Sequence, residues 1–269
     1  MRLARIIIGV DLTEPSIRAA KWVAQSFAPN AEIVLLHCLN PLLVLRHVAE
    51  ARATANRALR ELERAIGIPR SAHCIRVGDP ARTLADLAAE LDADLIAVGA
   101  HEEHPDRLPL LGSTAERLVR CSPVPVLLCA TTPVGAPRSV LLPVDAVEVS
   151  AELAEWTGAL AEQFDARLAL VHVEPTAPSS PRLTTGRPRT PWCRVARQLP
   201  PQRVFVDAVL GEQAEAVLSE SRRFKSELVL MQAPDEEVAD TADAVGRVLR
   251  RSECPVLVIP PADREVANV

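Results

Sequence analysis

Three short stretches of this chain carry residue types that could hold a ribose-bearing or phosphorylated ligand. Asp11 closes the apolar run Ile6 to Val10, Gly99 ends the run that begins near Asp94, and Gly112-Ser113-Thr114 opens a helix-forming stretch after the loop that starts Ala100-His101. A helix start presents free backbone N–H groups and the positive end of a dipole to phosphate. Glycine lets backbone approach a ligand closely. An aspartate at a strand end can accept hydrogen bonds from a ribose or a base. Asp11, Gly99, His101, Gly112, Ser113 and Thr114 are therefore the candidate contacts. The same pieces are also ordinary turn and cap chemistry, since glycine commonly follows a strand and serine commonly caps a helix.

Other reactive side chains have bland readings beside their functional ones. His101-Glu102-Glu103-His104 offers imidazole and carboxylate to zinc, yet it lies in a loop without the fixed spacing of a helical HExxH and with no paired Cys or His nearby, so a polar surface loop is expected. His37 and His172 end equivalent apolar runs, where packing or backbone hydrogen bonding is the expected role. The cysteines lie mostly in or beside apolar runs, as inert buried thiols do. Ser113 has no base supplied by motif, so no catalytic group is assigned.

The elements that position these residues are written twice. Ile6 to Asp11 (IIIGVD) recurs as Val140 to Asp145 (VLLPVD), Leu35-Leu36-His37 as Leu170-Val171-His172, Val77-Gly78-Asp79 as Leu210-Gly211-Glu212, and Ser122 to Leu128 as Glu253 to Ile259. A period of roughly 130–135 residues is domain-sized and means duplication of a whole fold. Apolar runs at Arg5–Val10, Glu32–Leu39, Ala72–Val77, Asp94–Gly99 and Val124–Cys129 predict buried parallel strands. Ser16–Phe27, Leu45–Ile66, Pro80–Leu91 and Ser113–Cys121 predict helices between them. Alternating strands and helices give an α/β fold, two tandem doubly wound parallel sheets in three α/β/α layers. The second half repeats the pattern, with strands predicted at Ser139–Val144, Ala166–Val173, Arg203–Val209, Glu227–Met231 and Pro255–Ile259. Its exception is the proline-rich stretch 175–201, which resists continuous helix where the first half has its long second one. A long loop is expected there. The domains are set at 1–131 and 138–269, joined by a short linker with Pro133, Gly135 and Pro137.

With 269 residues, 48% of them apolar, each half can bury a core. A net charge of −5 opposes nonspecific nucleic-acid binding, and the arginines at 182, 187, 189, 194 and 197 read as a solvated loop. No segment reaches the about 20 apolar residues a membrane helix needs. Six cysteines without CxxC spacing fit reduced thiols. A cytoplasmic protein without nucleic-acid or membrane partners is expected.

The stretch Val98-Gly99-Ala100-His101, Leu110-Leu111-Gly112-Ser113-Thr114-Ala115-Glu116-Arg117-Leu118 and Ser122-Pro123-Val124-Pro125-Val126-Leu127-Leu128 resembles the closing segment of the universal stress protein family. That family's pattern is glycine, two residues, glycine, nine residues, then Gly-Ser or Gly-Thr. Val10-Asp11 with Glu14-Pro15-Ser16 resembles its first strand and helix start. The resemblance covers both halves and implies an adenine nucleotide alpha hydrolase-like fold, pairing through edge strands, a role in stress resistance, and ATP or another adenine nucleotide as ligand, with magnesium only alongside it.

Departures matter. Glu102 replaces the second glycine and Glu103 follows, so backbone geometry and charge both oppose a triphosphate, whereas adenosine or AMP would suffer less. Leu12 stands where the family often has glycine. The second half keeps Asp145 but has Met231-Gln232-Ala233-Pro234 and acidic residues where the motif should be. The expectation is a non-enzymatic, stress-linked regulatory or ligand-sensing module whose halves form an internal pseudo-dimer through Val124–Leu128 and Pro255–Ile259. The alternatives are an ATP-binding protein with slow hydrolysis and an interaction scaffold. A homodimer and an unidentified protein partner remain open.

Overall fold

The computed structural model describes residues 3–41, 48–67, 71–102, 110–144, 150–174, 203–233 and 239–261. In the first half β1 (Arg5–Gly9), β2 (Glu32–Leu39), β3 (Ser71–Val77), β4 (Leu95–Gly99) and β7 (Val126–Cys129) alternate with α1 (Glu14–Trp22), α2 (Val48–Ile66), α3 (Pro80–Glu90) and α4 (Ser113–Cys121). A short hairpin of β5 (His101–Glu102) and β6 (Leu110–Leu111) stands after β4. The second half runs β8 (Ser139–Val144), α5 (Ala151–Gln163), β9 (Arg167–Glu174), β10 (Val204–Leu210), α6 (Gln213–Phe224), β11 (Leu228–Gln232), α7 (Ala239–Arg251) and β12 (Val256–Ile259). The predicted stretch 175–201, Asp145, Glu103 and His104 lie outside the described residues.

Helix starts follow the sequence chemistry. Asp79 caps α3 by accepting the Arg82 N–H at 3.0 Å, with Pro80 in the first turn where no N–H is needed. Glu212 caps α6 in the same way, taking the Ala214 and Glu215 N–H groups at 3.0 and 3.2 Å. The predicted helix Ser16–Phe27 departs from regularity: α1 begins at Glu14, and its last turn, Val23–Phe27, is π-helical and ends on the buried ring of Phe27.

All ten long strands form one sheet in the order β10-β9-β8-β11-β12-β7-β4-β1-β2-β3. Within each half the neighbours are parallel. At the centre β12 and β7 pair antiparallel, with Val256 opposite Leu128 and Val258 opposite Val126. The expected internal pairing of the two terminal strands is thus the middle of the sheet. Ile6, Ile7 and Ile8 are all fully buried because helices cover both faces of β1. The prediction that every strand is buried on both sides fails at the rims. β3 and β10 are edge strands, half-exposed along their length, with Phe205 47% and Val206 52% exposed. An outermost strand has a neighbour on one side only.

The junction is closed on one face by aromatic rings. Phe27 and Phe164 pack with centroids 5.3 Å apart, and Gln163 Nε2 donates to the Phe27 carbonyl at 3.0 Å. Trp22 Nε1 donates to the Gly135 carbonyl in the linker at 2.8 Å. These contacts place residues of both halves in one apolar layer.

Candidate functional site

Strand order in the first half reverses between β1 and β4, and a crevice opens beyond the carboxyl ends of such neighbours. A cavity of about 120 Å³ lies there. Its walls are apolar, from Leu36, Leu84 and Val98, and its polar side chains include Asp11, Thr13, Ser16 and Thr114. Gly99 also lines it, and a Cβ at that position would meet nothing within 4 Å, so the absent side chain leaves open room. Gly9 serves packing instead: a Cβ there would sit 2.9 Å from both Leu84 and Val98.

Of the sequence candidates, Asp11, Gly99 and Thr114 line this cavity. Gly112 is buried and donates its N–H to the Ala100 carbonyl at 2.9 Å, tying the start of α4 to the end of β4. Ser113 is the first residue of α4 and is exposed. His101 lies in β5, its backbone opposite Leu111. Thr13, Pro15, Ser16, Cys38, Pro80 and Leu84 also line it and were missed. The signal for the last two was their place at the start of the helix after β3.

Asp11 shapes the turn into α1. Its Oδ1 accepts the Thr13 N–H at 2.9 Å and the Thr13 hydroxyl at 2.6 Å, and Ser16 Oγ donates to the Thr13 carbonyl at 3.0 Å. Burial pushes the Asp11 carboxyl up, but hydrogen bonds from Ser16 and Thr13 outweigh it and hold the group below the usual aspartate range. The turn also drives Leu12 to φ +68°, the left-handed region that suits glycine.

Glu102 sits in β5 opposite Leu110, in extended strand backbone. A phosphate-cradling loop needs successive N–H groups turned toward the anion. At Glu102 the strand pairing holds extended backbone instead. The first turn of α4 contains Glu116, which pairs with Arg120 at 3.1 Å. Arg117 of the same helix is bound to Asp79, the cap of α3. Arg247 of α7 reaches Glu212, the cap of α6, at 2.9 Å, so the tie recurs in the second half. Among the described residues that line the cavity there is no lysine, arginine or histidine.

The second half has a side chain where the first has space. Gln232 ends β11 as Gly99 ends β4. Its Oε1 accepts the Ser150 hydroxyl at 2.6 Å and its Nε2 donates to the Ile259 carbonyl at 2.9 Å. Ser150 in turn caps α5 by accepting the Leu153 N–H at 3.1 Å. The amide thereby laces α5, β11 and β12 together across the switch point.

The two strand-end histidines do matching structural work. His37 Nδ1 lies 2.7 Å from the Val10 carbonyl and His172 Nδ1 lies 3.0 Å from that of Val144. Burial pushes the thiols up, Cys38 to about 11 and Cys129 to about 12, which leaves both unreactive at neutral pH. Among the described residues no cluster of three or more His, Cys, Asp and Glu could hold a metal ion, and His104 lies outside them.

Two doubly wound sheets joined edge to edge, one with a crevice at its switch point, define a tandem protein of the adenine nucleotide alpha hydrolase-like fold. A sequence profile of the universal stress protein family matches residues 3–130 and again 137–260, and the chain belongs to that family. No curated protein matches it by sequence. Among solved structures, a universal stress protein from Archaeoglobus fulgidus superposes with a TM-score of 0.74 at 18% identity, covering 98% of each chain. A functionally unknown Pseudomonas aeruginosa protein gives 0.68 at 16%, covering 97% of this chain and 94% of its own. These likenesses establish the shared tandem fold.

Proposed function

We propose that the chain is a cytoplasmic, non-enzymatic ligand-sensing module of the stress response, in which the first half binds an adenine nucleoside or nucleotide and the second half is its structural partner. The observation that carries this reading is the cavity at the β1–β4 switch point, with apolar walls for a flat ring, Asp11 as acceptor and unfilled room at Gly99. Asp11, Gly99 and Thr114 line it, Gly112 and Ser113 set the helix start beside it, and His101 follows in the hairpin. Magnesium would enter only with a phosphorylated ligand. Slow hydrolysis is disfavoured because a carboxylate held below its usual range, as Asp11 is, makes a weak general base.

A thermal-shift titration with adenosine, AMP and ATP, each with and without magnesium, tests the reading. Saturable stabilisation of about 2.7 kcal/mol at a hundredfold excess over Kd is expected for a ligand that binds only the folded state. A flat response to all of them overturns it. A second reading, an interaction scaffold, is favoured by the exposed Phe205, Val206 and Leu210 on edge strand β10. Capture of a protein partner that is lost when charges replace Val206 and Leu210 would support it.

A further inference from the structure

We infer that the first-half cavity selects an uncharged nucleoside over its phosphorylated forms; this rests on the adenine reading above. Size comes first. An enclosed apolar space of about 150 Å³ takes one benzene-sized ring; the cavity here is about 120 Å³ and partly open to solvent, so it receives the edge of a base and leaves the sugar outside it.

Charge comes second. The carboxylate at the rim, Asp11, is kept ionised by its hydrogen bonds, so it attracts N–H or O–H donors and repels anions. No cationic side chain stands among the described lining residues. The N-terminus of α4 would favour phosphate through its dipole, but its first turn already contains the Glu116 carboxylate. Arg117, the first guanidinium of that helix, is bound to Asp79, which precedes the cavity residue Pro80. The recurrence of that tie as Arg247–Glu212 in the second half identifies it as part of the fold. Among the described residues, a phosphate at the start of α4 gains Arg117 only by displacing Asp79, and Glu102 presents extended strand backbone.

Calorimetric titration of the full chain decides the matter. Adenosine is expected to bind at least about tenfold more tightly than ATP, with or without magnesium, and AMP to fall between them. Asp79→Asn keeps a good helix cap while freeing Arg117; it should raise AMP affinity several-fold relative to adenosine. ATP binding more tightly than adenosine in the natural sequence overturns the selectivity and leaves the adenine reading standing. Absence of binding by all three overturns both. Binding of adenosine that persists unchanged in Gly99→Gln places the ligand elsewhere and overturns the inference as well.

Discussion

Ser150 donates its hydroxyl to Gln232 Oε1 over 2.6 Å, and this bond is what distinguishes the second crevice from the first. In the first half the equivalent strand ends on Gly99, beside open room.

Replacing Gln232 with glycine removes that bond and the one to the Ile259 carbonyl, and should cost about 1–3 kcal/mol of stability. Urea unfolding measures this. Gly99→Gln should leave stability within about 1 kcal/mol, because the added side chain enters free space, while abolishing the thermal shift with adenosine.

At Leu12 the usual order of substitutions should invert. The residue packs partly on the core but holds φ +68°. Leu12→Ala loses the packing and keeps the strain, whereas Leu12→Gly loses the packing and relieves it. The glycine variant is expected to be more stable than the alanine variant by about 1 kcal/mol, read from paired denaturation curves.

Acid should remove what Asp11 contributes. Its carboxyl is held below the ordinary aspartate value in the folded chain, so it stabilises in full above about pH 4. That contribution is lost as pH falls through the lowered folded value. The stability gap between the natural sequence and Asp11→Asn should be constant from about pH 5 to 7 and narrow as pH falls below about 4.

Thiol labelling offers a check on the core. With Cys38 raised to about 11 and Cys129 to about 12, alkylation at pH 8 should be slower than in the unfolded chain by on the order of a hundredfold at Cys38 and on the order of a thousandfold at Cys129. Mass spectrometry assigns each site, and adenosine should slow Cys38 further because it lines the cavity.

Phe164→Ala, which empties space against Phe27, should cost about 3–5 kcal/mol. Because the two rings belong to different halves of one layer, calorimetry should still give a single transition, at lower temperature, for both halves.

The duplication and the alternation of strands with helices were legible in the sequence because IIIGVD and VLLPVD, or the paired Pro-Val strands, hold their order whatever surrounds them. The rims were not. Ala72 to Val77 is an apolar run interrupted by His73 and Arg76, and the strand order places it at the rim. Asp11, Gly99 and Thr114 could be nominated from type and spacing, since strand ends and helix starts converge in any parallel sheet. The loss of the glycine motif near Gln232 was visible, but that its amide replaces the missing space depends on three elements meeting. The tie between Arg117 and Asp79 spans 38 positions and follows no local rule. Its echo in Arg247 and Glu212 was the available hint.

The antiparallel seam of β7 and β12 means that what two separate molecules would achieve by meeting is built into one chain. Joining by a short linker replaces a collision with an intramolecular contact, so the pairing does not weaken on dilution. It also frees the partners from being identical. In an association of like copies every substitution appears on both sides of the axis, whereas here Gly99 and Gln232 can occupy matching places with opposite consequences. One half can keep an opening while the other trades it for a lock.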